Sequence, residues 1–366
     1  MNLYIHVPFC ARRCSYCDFS IAVRKSVPSE RFAAAVLKEW DEVQDDAGWA
    51  SSPALDTVYF GGGTPSRLDP AALAAILDGI RARRPLAPDA EVTLEANPDD
   101  VTPEAAAAWR DAGIARVSLG IQSFAPTVLE WMHRTHSAEQ ARSAVATLRA
   151  AGFADLSVDL IYGLPAELDR DWEADLAAAF ALEPDHLSCY GLTIEAHTPL
   201  GHWAARGQAT PVDETRYAEE FLQLSEALAG RGWEHYEVSN AARPGHRARH
   251  NSGYWSGAPY LGLGPSAHSS TGGERRWNIR EYAAWDAAVQ GGEPTVAGRE
   301  MLTAEQRRIE ALYLGLRTSA GVPVDLVPAA ARERWAASGW AAAGGGRLRL
   351  TAEGWLRLDA LVADAA

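Results

Sequence analysis

Short apolar segments alternate with longer amphipathic segments over the first half of the chain. The short segments are rich in Val, Ile, Leu and Tyr and lie between turn residues, which is typical of buried strands. The longer segments carry apolar residues at helical spacing and begin near Ser, Thr or Asp residues that can cap a helix. The predicted strands are 3–7, 57–60, 91–96, 116–122, 156–161 and 186–192, and the predicted helices lie near 29–46, 70–83, 103–112, 137–151 and 171–182, with candidate caps Ser29, Asp69, Thr102, Ser137 and Asp169 or Asp171.

Repetition of this strand–helix unit about six times indicates an α/β fold with a parallel sheet. Because the crossovers between parallel strands are right-handed, such units curl into a full or partial barrel. We predict a partial (β/α)6 barrel of the TIM type over residues 1–235. In such a barrel the chemistry lies at the carboxyl ends of the strands.

The second half of the chain has a different pattern. Tyr217, Phe221, Leu224 and Leu228 share one helical face, which predicts a helix over 215–231. Glycine and proline recur through 240–278, so we predict a long structured loop within a region 236–295. Beyond this region, a helix at 309–316, a glycine turn at 344–346, a strand at 347–350 and a last helix at 355–362 predict a small helical, winged-helix-like domain over 296–366.

Composition restricts the classes of function open to the chain. Hydrophobic residues make up 47% of the 366 residues, so we expect a folded core. The net charge of −14 argues against a nucleic-acid binder, and neither lysine, Lys25 or Lys38, follows a glycine as a P-loop requires. No secretory signal or long apolar run is visible, so we expect a cytoplasmic protein with no membrane span. Local patches could still contact a membrane peripherally.

Cysteines are concentrated near the amino terminus. Cys10, Cys14 and Cys17 have the spacing Cys-x3-Cys-x2-Cys directly after the first predicted strand, whereas Cys189 lies in an apolar strand and is expected to be a core residue. Three thiolates on one loop can hold three irons of a [4Fe–4S] cluster and leave the fourth iron open. The alternative is a structural zinc site with His6, Asp18 or Cys189 as the fourth ligand, although zinc sites usually consist of two separated pairs.

With Tyr16 before the third cysteine, this motif resembles that of the radical S-adenosylmethionine (SAM) superfamily. The resemblance is closer to the HemN/HemW family, which contains oxygen-independent coproporphyrinogen dehydrogenases and haem chaperones. It extends over nearly the whole chain and rests on YIHVPFCARRCSYCDF (4–19), YFGGGTPS (59–66), LEANP (94–98), GIQSF (120–124) and DLIYGLP (159–165). It implies a [4Fe–4S] cluster on the three cysteines and SAM on the open iron.

Residues near the ends of the other predicted strands are further candidates for the same site. Glu95, Gln122 and Asp159 would point into the top of the barrel, where polar side chains usually belong to a site. The resemblance implies that Glu95 and Asp159 bind the ribose or amino-acid part of SAM and that Gln122 and Arg134 lie near its carboxylate. It further implies SAM contacts for Gly62, Gly63, Thr64 and Tyr4, and places Phe9 and Tyr16 around the cluster or the adenine, where ordinary core packing is the alternative.

The segment His250-Asn251-Ser252-Gly253-Tyr254-Trp255 matches the HNxxYW motif of the haem chaperones in this family. The resemblance implies haem contact by His250, Asn251, Tyr254 and Trp255, with His250 as a candidate iron ligand. His268 is a second candidate, His133 and His136 are weaker ones, and Arg247 or Arg249 would pair with propionates. The alternative is an ordered loop whose aromatic side chains pack on the barrel.

Two features separate the chaperones from the dehydrogenases they resemble. Phe19 stands where the dehydrogenases carry a further cysteine, and the first strand starts at Leu3 with no arm before it. The resemblance therefore implies a haem chaperone that delivers haem to apo-haemoproteins such as respiratory enzymes, with cluster and SAM supporting folding, homodimer formation or transfer. Coproporphyrinogen dehydrogenation by a 5′-deoxyadenosyl radical is one alternative. A related radical SAM methyltransferase or cyclopropanase is another.

Overall fold

A single open sheet organises most of the chain in the computed structural model, which describes residues 1–46, 48–50 and 52–365. The strands of the described residues are β1 (Asn2–Val7), β2 (Phe9–Cys10), β3 (Ala22–Val23), β4 (Leu55–Gly62), β5 (Leu86–Ala96), β6 (Arg116–Gln122), β7 (Asp155–Tyr162), β8 (His186–Gly191), β9 (Glu234–Glu237), β10 (Asn240–Ala242), β11 (Tyr260–Leu263), β12 (His268–Ser270), β13 (Glu274–Asn278), β14 (Val296–Met301), β15 (Val322–Pro323), β16 (Ala341–Gly344) and β17 (Arg347–Leu350). Twelve of these strands form the open sheet, in the order β14-β13-β12-β11-β1-β4-β5-β6-β7-β8-β10-β9.

Helices connect the parallel strands and cover the sheet. They are α1 (Ser29–Val43), α2 (Pro70–Arg83), α3 (Pro103–Ala112), α4 (Pro126–Trp131), α5 (Ala138–Ala150), α6 (Trp172–Ala181), α7 (Pro199–Ala205), α8 (Glu214–Ala229), α9 (Arg249–Trp255), α10 (Tyr282–Gly291), α11 (Ala304–Leu316), α12 (Ala329–Ala337), α13 (Ala352–Trp355) and α14 (Leu358–Ala365). No described helix combines the length and the apolar character that crossing a membrane requires.

The predicted α/β architecture is confirmed. Strands β1, β4, β5, β6, β7 and β8 are parallel neighbours in chain order, and the sheet stays open, as in a partial barrel. Asp69, Thr102, Ser137 and Asp171 cap their helices as predicted, but Ser29 is the first residue of α1 and Asp169 caps none. Phe60, Leu94 and Leu119 share one face of the sheet and are nearly inaccessible to water, so burial of this apolar face stabilises the sheet.

The prediction of a long loop over 240–278 is wrong. This segment contains β10, α9, β11, β12 and β13, and β11 pairs in parallel with β1 to extend the sheet. Gly262, one of the glycines that prompted the prediction, permits close approach of two strands instead. A Cβ on Gly262 would lie 2.2 Å from the His268 carbonyl oxygen, so only glycine lets β11 and β12 pair here.

The C-terminal unit contains the predicted helix, glycine turn, strand and last helix. Its strands β15, β17 and β16 form a small antiparallel sheet. The unit contacts the main sheet near β9, where the Val238 amide donates to the Arg317 carbonyl over 3.1 Å. A cleft remains between this unit and β11–β13.

Candidate functional site

A cavity of about 500 Å³ opens at the carboxyl ends of the parallel strands. Parallel strands end at the same edge of a sheet, so side chains far apart in sequence converge there. The structure brings together, on this lining, the following predicted residues: Cys10, Cys14, Tyr16, Cys17, Gly62, Gly63, Thr64, Glu95, Gln122, Arg134 and Asp159.

The three clustered thiols lie at this cavity with polar donors beside them. The Thr64 hydroxyl donates to Cys10 Sγ over 3.4 Å, and Arg134 Nη1 donates to Cys14 Sγ over 3.6 Å. Burial raises the pKa of Cys10 and raises that of Cys17 to about 11. The metal-free thiols of Cys10 and Cys17 are therefore protonated at neutral pH, and metal binding to these two residues must release protons.

Arg134 is the main positive charge in the cavity. Its guanidinium is buried, and Nη2 donates to Asn97 Oδ1 over 2.6 Å and to the Gly120 carbonyl over 2.5 Å. Its Nε has no hydrogen-bond partner among the described residues. A buried donor without a partner costs free energy, so this one suits an anionic ligand group. Nearby Gln122 has a positive φ of 70°, a strained backbone of the kind found at binding sites.

Two half-buried carboxyl groups, Glu95 and Asp159, also line the cavity. Glu95 accepts from the Tyr59 hydroxyl over 2.8 Å and from the Gly62 amide over 3.0 Å. Asp159 accepts from the Ser118 hydroxyl over 2.9 Å. Burial raises the pKa of Glu95 to about 7 and that of Asp159 to about 6. Such groups can accept hydrogen bonds from sugar hydroxyls and favour a cationic ligand centre.

Comparison with known proteins identifies the family. The Radical SAM superfamily model matches residues 4–179. The heme chaperone HemW of Mycobacterium tuberculosis (strain ATCC 25618 / H37Rv) is 40% identical, covering 99% of this chain and 93% of the relative. The chain belongs to the HemW family of radical SAM proteins. The heme chaperone HemW of Escherichia coli (strain K12) is 38% identical, over 73% of this chain and 69% of the relative.

A solved structure supports the fold of this HemW-family chain. Coproporphyrinogen III oxidase (HemN) from Escherichia coli superposes with a TM-score of 0.81, covering 99% of this chain and 89% of that one. Its sequence identity is 21%, so this likeness concerns the fold alone. Membership of the radical SAM superfamily implies a SAM-binding [4Fe–4S] cluster. The three thiols, the buried unpartnered Nε of Arg134 and the two carboxyls fit that pair of groups.

Two residues predicted to contact SAM or the cluster lie outside the cavity. Phe9 is fully buried in the core, where its ring centroid is 5.4 Å from that of Phe32 and 4.9 Å from that of Tyr282. Tyr4 lies on β1 beneath the cavity and hydrogen-bonds His6 Nδ1 over 3.1 Å. Both side chains therefore support the site from the core side, and the alternative of core packing applies to Phe9.

His250, the predicted candidate iron ligand, lies in the core of the protein. His250 is only 1% exposed, and both ring nitrogens are engaged, Nδ1 with the Thr57 hydroxyl at 2.6 Å and Nε2 with the Tyr254 hydroxyl at 2.8 Å. A metal could bind only after one of these buried hydrogen bonds broke. Tyr254 and Trp255 border the cleft beside α9, while Asn251 is a half-buried residue of that helix.

The weaker candidate iron ligands and the candidate propionate partners lie at several different places in the fold. His136 is buried and its Nε2 contacts the Ile121 carbonyl oxygen at 3.1 Å. His133 lies on the lining of the cavity at the carboxyl ends of the parallel strands, hereafter the SAM cavity. Arg247 pairs with Glu234, and Arg249 pairs with Asp89, so neither presents a guanidinium free of acidic partners.

Sequence reasoning missed Tyr59 and Asn97, which position Glu95 and Arg134. A signal for Asn97 existed, because residues two apart on a strand share a face and Asn97 follows Glu95 by two. Tyr59 carried a weaker signal, since it precedes the glycine run inside an apolar strand. A tyrosine at such a position is interpreted as a core residue until the hydrogen-bond partner of its hydroxyl is known.

The raised pKa of Glu95 predicts a pH-dependent stability. Between its ordinary value of 4.5 and about 7, the folded protein holds a proton that the unfolded chain has lost, so stability falls as pH rises through this window. The Glu95→Gln variant has no carboxyl group to titrate at this position, so it lacks this loss of stability with rising pH. In protein free of cluster and SAM, its Tm relative to wild type should be higher at about pH 8 than at about pH 5. The exposed Glu130→Gln variant should show no such pH-dependent difference, and an identical pH response of all three proteins would contradict the prediction.

Proposed function

We propose that this chain is a haem chaperone, which binds haem and passes it to apo-haemoproteins. The observation that carries this proposal is the similarity to haem chaperones along almost the full chain. It spans the cavity at the cysteines and also the segment with β11–β14 and the C-terminal unit. A similarity confined to the cysteine loop would support only the binding of the cluster and SAM, and not the chaperone function.

The geometry near α9 supports haem as the cargo. Tyr254 and Trp255 of the HNxxYW segment line a cleft of about 1140 Å³ between the sheet and the C-terminal unit. Aromatic side chains offer broad apolar surfaces with a polar edge, which suits a porphyrin that carries polar substituents. This cleft lies apart from the SAM cavity, so one chain can hold cargo and cofactor together.

The residues around the cavity support a binding role for the cofactors. Cys10, Cys14 and Cys17 would hold the cluster, Arg134 would face the SAM carboxylate, and Glu95 with Asp159 would bind its hydroxyls. When bound, these groups supply one-electron cleavage of the SAM sulfonium. Phe19 is 55% exposed at the cavity mouth, where the resemblance places a cysteine in the dehydrogenases. The proposal therefore does not include coproporphyrinogen turnover.

We further propose that the protein acts in the cytoplasm and that its clients are apo-haemoproteins such as respiratory enzymes. An oxidisable cluster on three thiolates requires a reducing compartment, which supports the location. Peripheral membrane contact and a homodimer remain predictions about how such clients would be reached.

Haem titration tests the proposed function. Reconstituted protein should produce a saturable shift of the haem Soret band, because the cleft provides aromatic walls for the ring. Protein without its cluster serves as the companion sample and shows whether cargo binding depends on the cofactor. Absence of any saturable Soret change in the reconstituted wild type would contradict the haem-chaperone function.

Anaerobic incubation with coproporphyrinogen, SAM and a reductant tests the dehydrogenase alternative. We expect no protoporphyrinogen above a control lacking SAM. Its formation in proportion to enzyme would replace the chaperone assignment with an enzymatic one.

A further inference from the structure

The cleft beside α9 has two chemically different sides. Strands β11–β13 supply Tyr260, Trp277 and His268, and the C-terminal unit supplies Leu314 and Leu326 from the facing side. Its volume of about 1140 Å³ exceeds the roughly 300–1,000 Å³ typical of small-molecule pockets. A large flat ligand with an apolar body fits such a space better than a small polar one.

His268 is the only histidine among the described residues that line this cleft. Within the described part of the chain, its imidazole makes no side-chain hydrogen bond and no ion pair, and its ring lies beside the indole of Trp277. It therefore differs from His250, whose two nitrogens are both engaged. An imidazole nitrogen without a partner at a cavity wall is available to a metal.

The backbone holds His268 in this position. His268 pairs with Trp277 across β12 and β13, and Trp277 pairs with Gly298 on β14. The His268 and Trp277 ring centroids are 6.2 Å apart at an interplanar angle of 29°. A Cβ on Gly298 would lie 2.4 Å from the indole, so glycine at this position lets Trp277 lie across the strand and support the imidazole.

Positive charge borders the same cleft although the whole chain carries −14. Arg247 and Arg275 on its lining are paired with glutamates, Arg247 with Glu234 and Arg275 with Glu300 and Glu310.

Arg307 and Arg347 also line the cleft, and neither has a carboxylate partner among the described residues. Arg307 Nη1 donates to the Leu302 carbonyl over 2.6 Å, and Arg347 Nε donates to the Ala320 carbonyl over 2.6 Å. Two arginines without acidic partners match a dianionic ligand, because guanidinium groups bind carboxylates strongly.

A smaller cavity of about 410 Å³ adjoins the cleft, and Tyr254, Tyr260 and His268 border both spaces. Phe19 and Gly62 border this smaller cavity and also the SAM cavity. His268 thus stands at the side of the cleft that faces the cysteine cluster.

We propose that His268 supplies an axial ligand to the iron of haem bound in this cleft, and that Arg307 and Arg347 hold its two propionates. This assignment rests on the proposed haem-binding function and adds the site and its orientation. The free imidazole, its support by Trp277 and the two arginines without acidic partners point to the same ligand from opposite sides of one cleft.

Replacement of the proposed ligand tests the iron contact. His268→Gly should weaken haem binding about tenfold or more and change the Soret position and the ferric EPR signal, since the axial ligand sets both. Added imidazole should enter the vacated space and restore the wild-type spectrum. His268→Gln, which keeps the side-chain length but binds iron poorly, should show the same spectral change, while the buried His250→Gln should retain the wild-type ligand signature.

The propionate contacts are tested by comparing haem with its dimethyl ester. Wild type should prefer haem over the ester by about tenfold, and the Arg307→Gln/Arg347→Gln double variant should lose that preference. The ratio of the affinities for haem and for its ester is insensitive to a general loss of folded protein, because such a loss would weaken the binding of both ligands alike. Arg334→Gln, which lies on α12 outside the cleft, should keep the preference.

The outcomes separate this assignment from the haem-chaperone function itself. Failure of the wild type to bind haem removes both. Haem binding by the wild type with an unchanged spectrum in His268→Gly, loss of the ligand signature in His250→Gln, or no recovery with imidazole overturns the assignment of His268 alone. Equal ester discrimination by the double variant and the wild type overturns the role of the arginines.

Discussion

Cys14→Ser is expected to abolish assembly of the iron–sulfur cluster. Anaerobically reconstituted wild type should contain about four irons and four sulfides per chain, and the variant close to none. The reason is chemical, because a serine hydroxyl does not replace a thiolate as an iron ligand at neutral pH. Iron and sulfide analysis together with the broad visible absorption of the cluster measures the effect. SAM binding should fall with the iron, since SAM needs the open iron position.

Cys189→Ser provides the matched control for this loss. Cys189 is 2% exposed on β8 and does not line the cavity, so the variant should keep the wild-type iron content and lose only a little stability. Iron retained in Cys14→Ser, or stoichiometric zinc without iron–sulfur absorption in the wild type, would contradict a radical SAM site on these cysteines.

The parallel strands of the main sheet could be predicted from the sequence because each of them is a short apolar run with a polar turn on either side. Capping residues such as Asp69, Thr102 and Ser137 act through local hydrogen bonds, so their roles follow from nearby sequence alone. The strands between 240 and 278 were missed for the opposite reason. Gly264, directly after β11, leaves room for the His6 carbonyl oxygen, which would lie 2.5 Å from an added Cβ, and that requirement comes from a distant part of the chain.

The site was predictable to the extent that topology alone determines it. Residues at the ends of parallel strands must converge, which places Glu95 and Asp159 at one cavity without further information. Topology alone does not determine the direction in which a side chain points from a helix. His250 and Tyr254 both belong to α9, yet His250 points into the core toward Thr57 and Tyr254 reaches the cleft. Only the packing of α9 against β4 decides which of them water or a ligand can reach.

A buried ion pair joins the C-terminal unit to the main sheet beside the cleft. Arg317 Nη2 and Nε donate to Glu237 Oε2 over 2.6 and 2.9 Å, and the Glu237 side chain is completely buried. The guanidinium carbon of Arg317 also lies 4.0 Å from the ring centroid of Trp255. One side chain therefore neutralises a buried carboxylate and covers a face of the HNxxYW tryptophan.

Arg317→Met is expected to destabilise the folded protein by about 3 kcal/mol, because it leaves the charge of Glu237 buried without its cationic partner. The double variant Arg317→Met/Glu237→Gln should recover most of this loss, since no unpaired charge then remains. Urea unfolding followed by tryptophan fluorescence measures both changes. Arg334→Met is the control, because its ion pair with Asp364 is exposed and should be worth under about 1 kcal/mol. Equal losses in Arg317→Met and Arg334→Met, or no recovery in the double variant, would show that packing of the long side chain, and not the buried charge pair, holds the C-terminal unit beside the cleft.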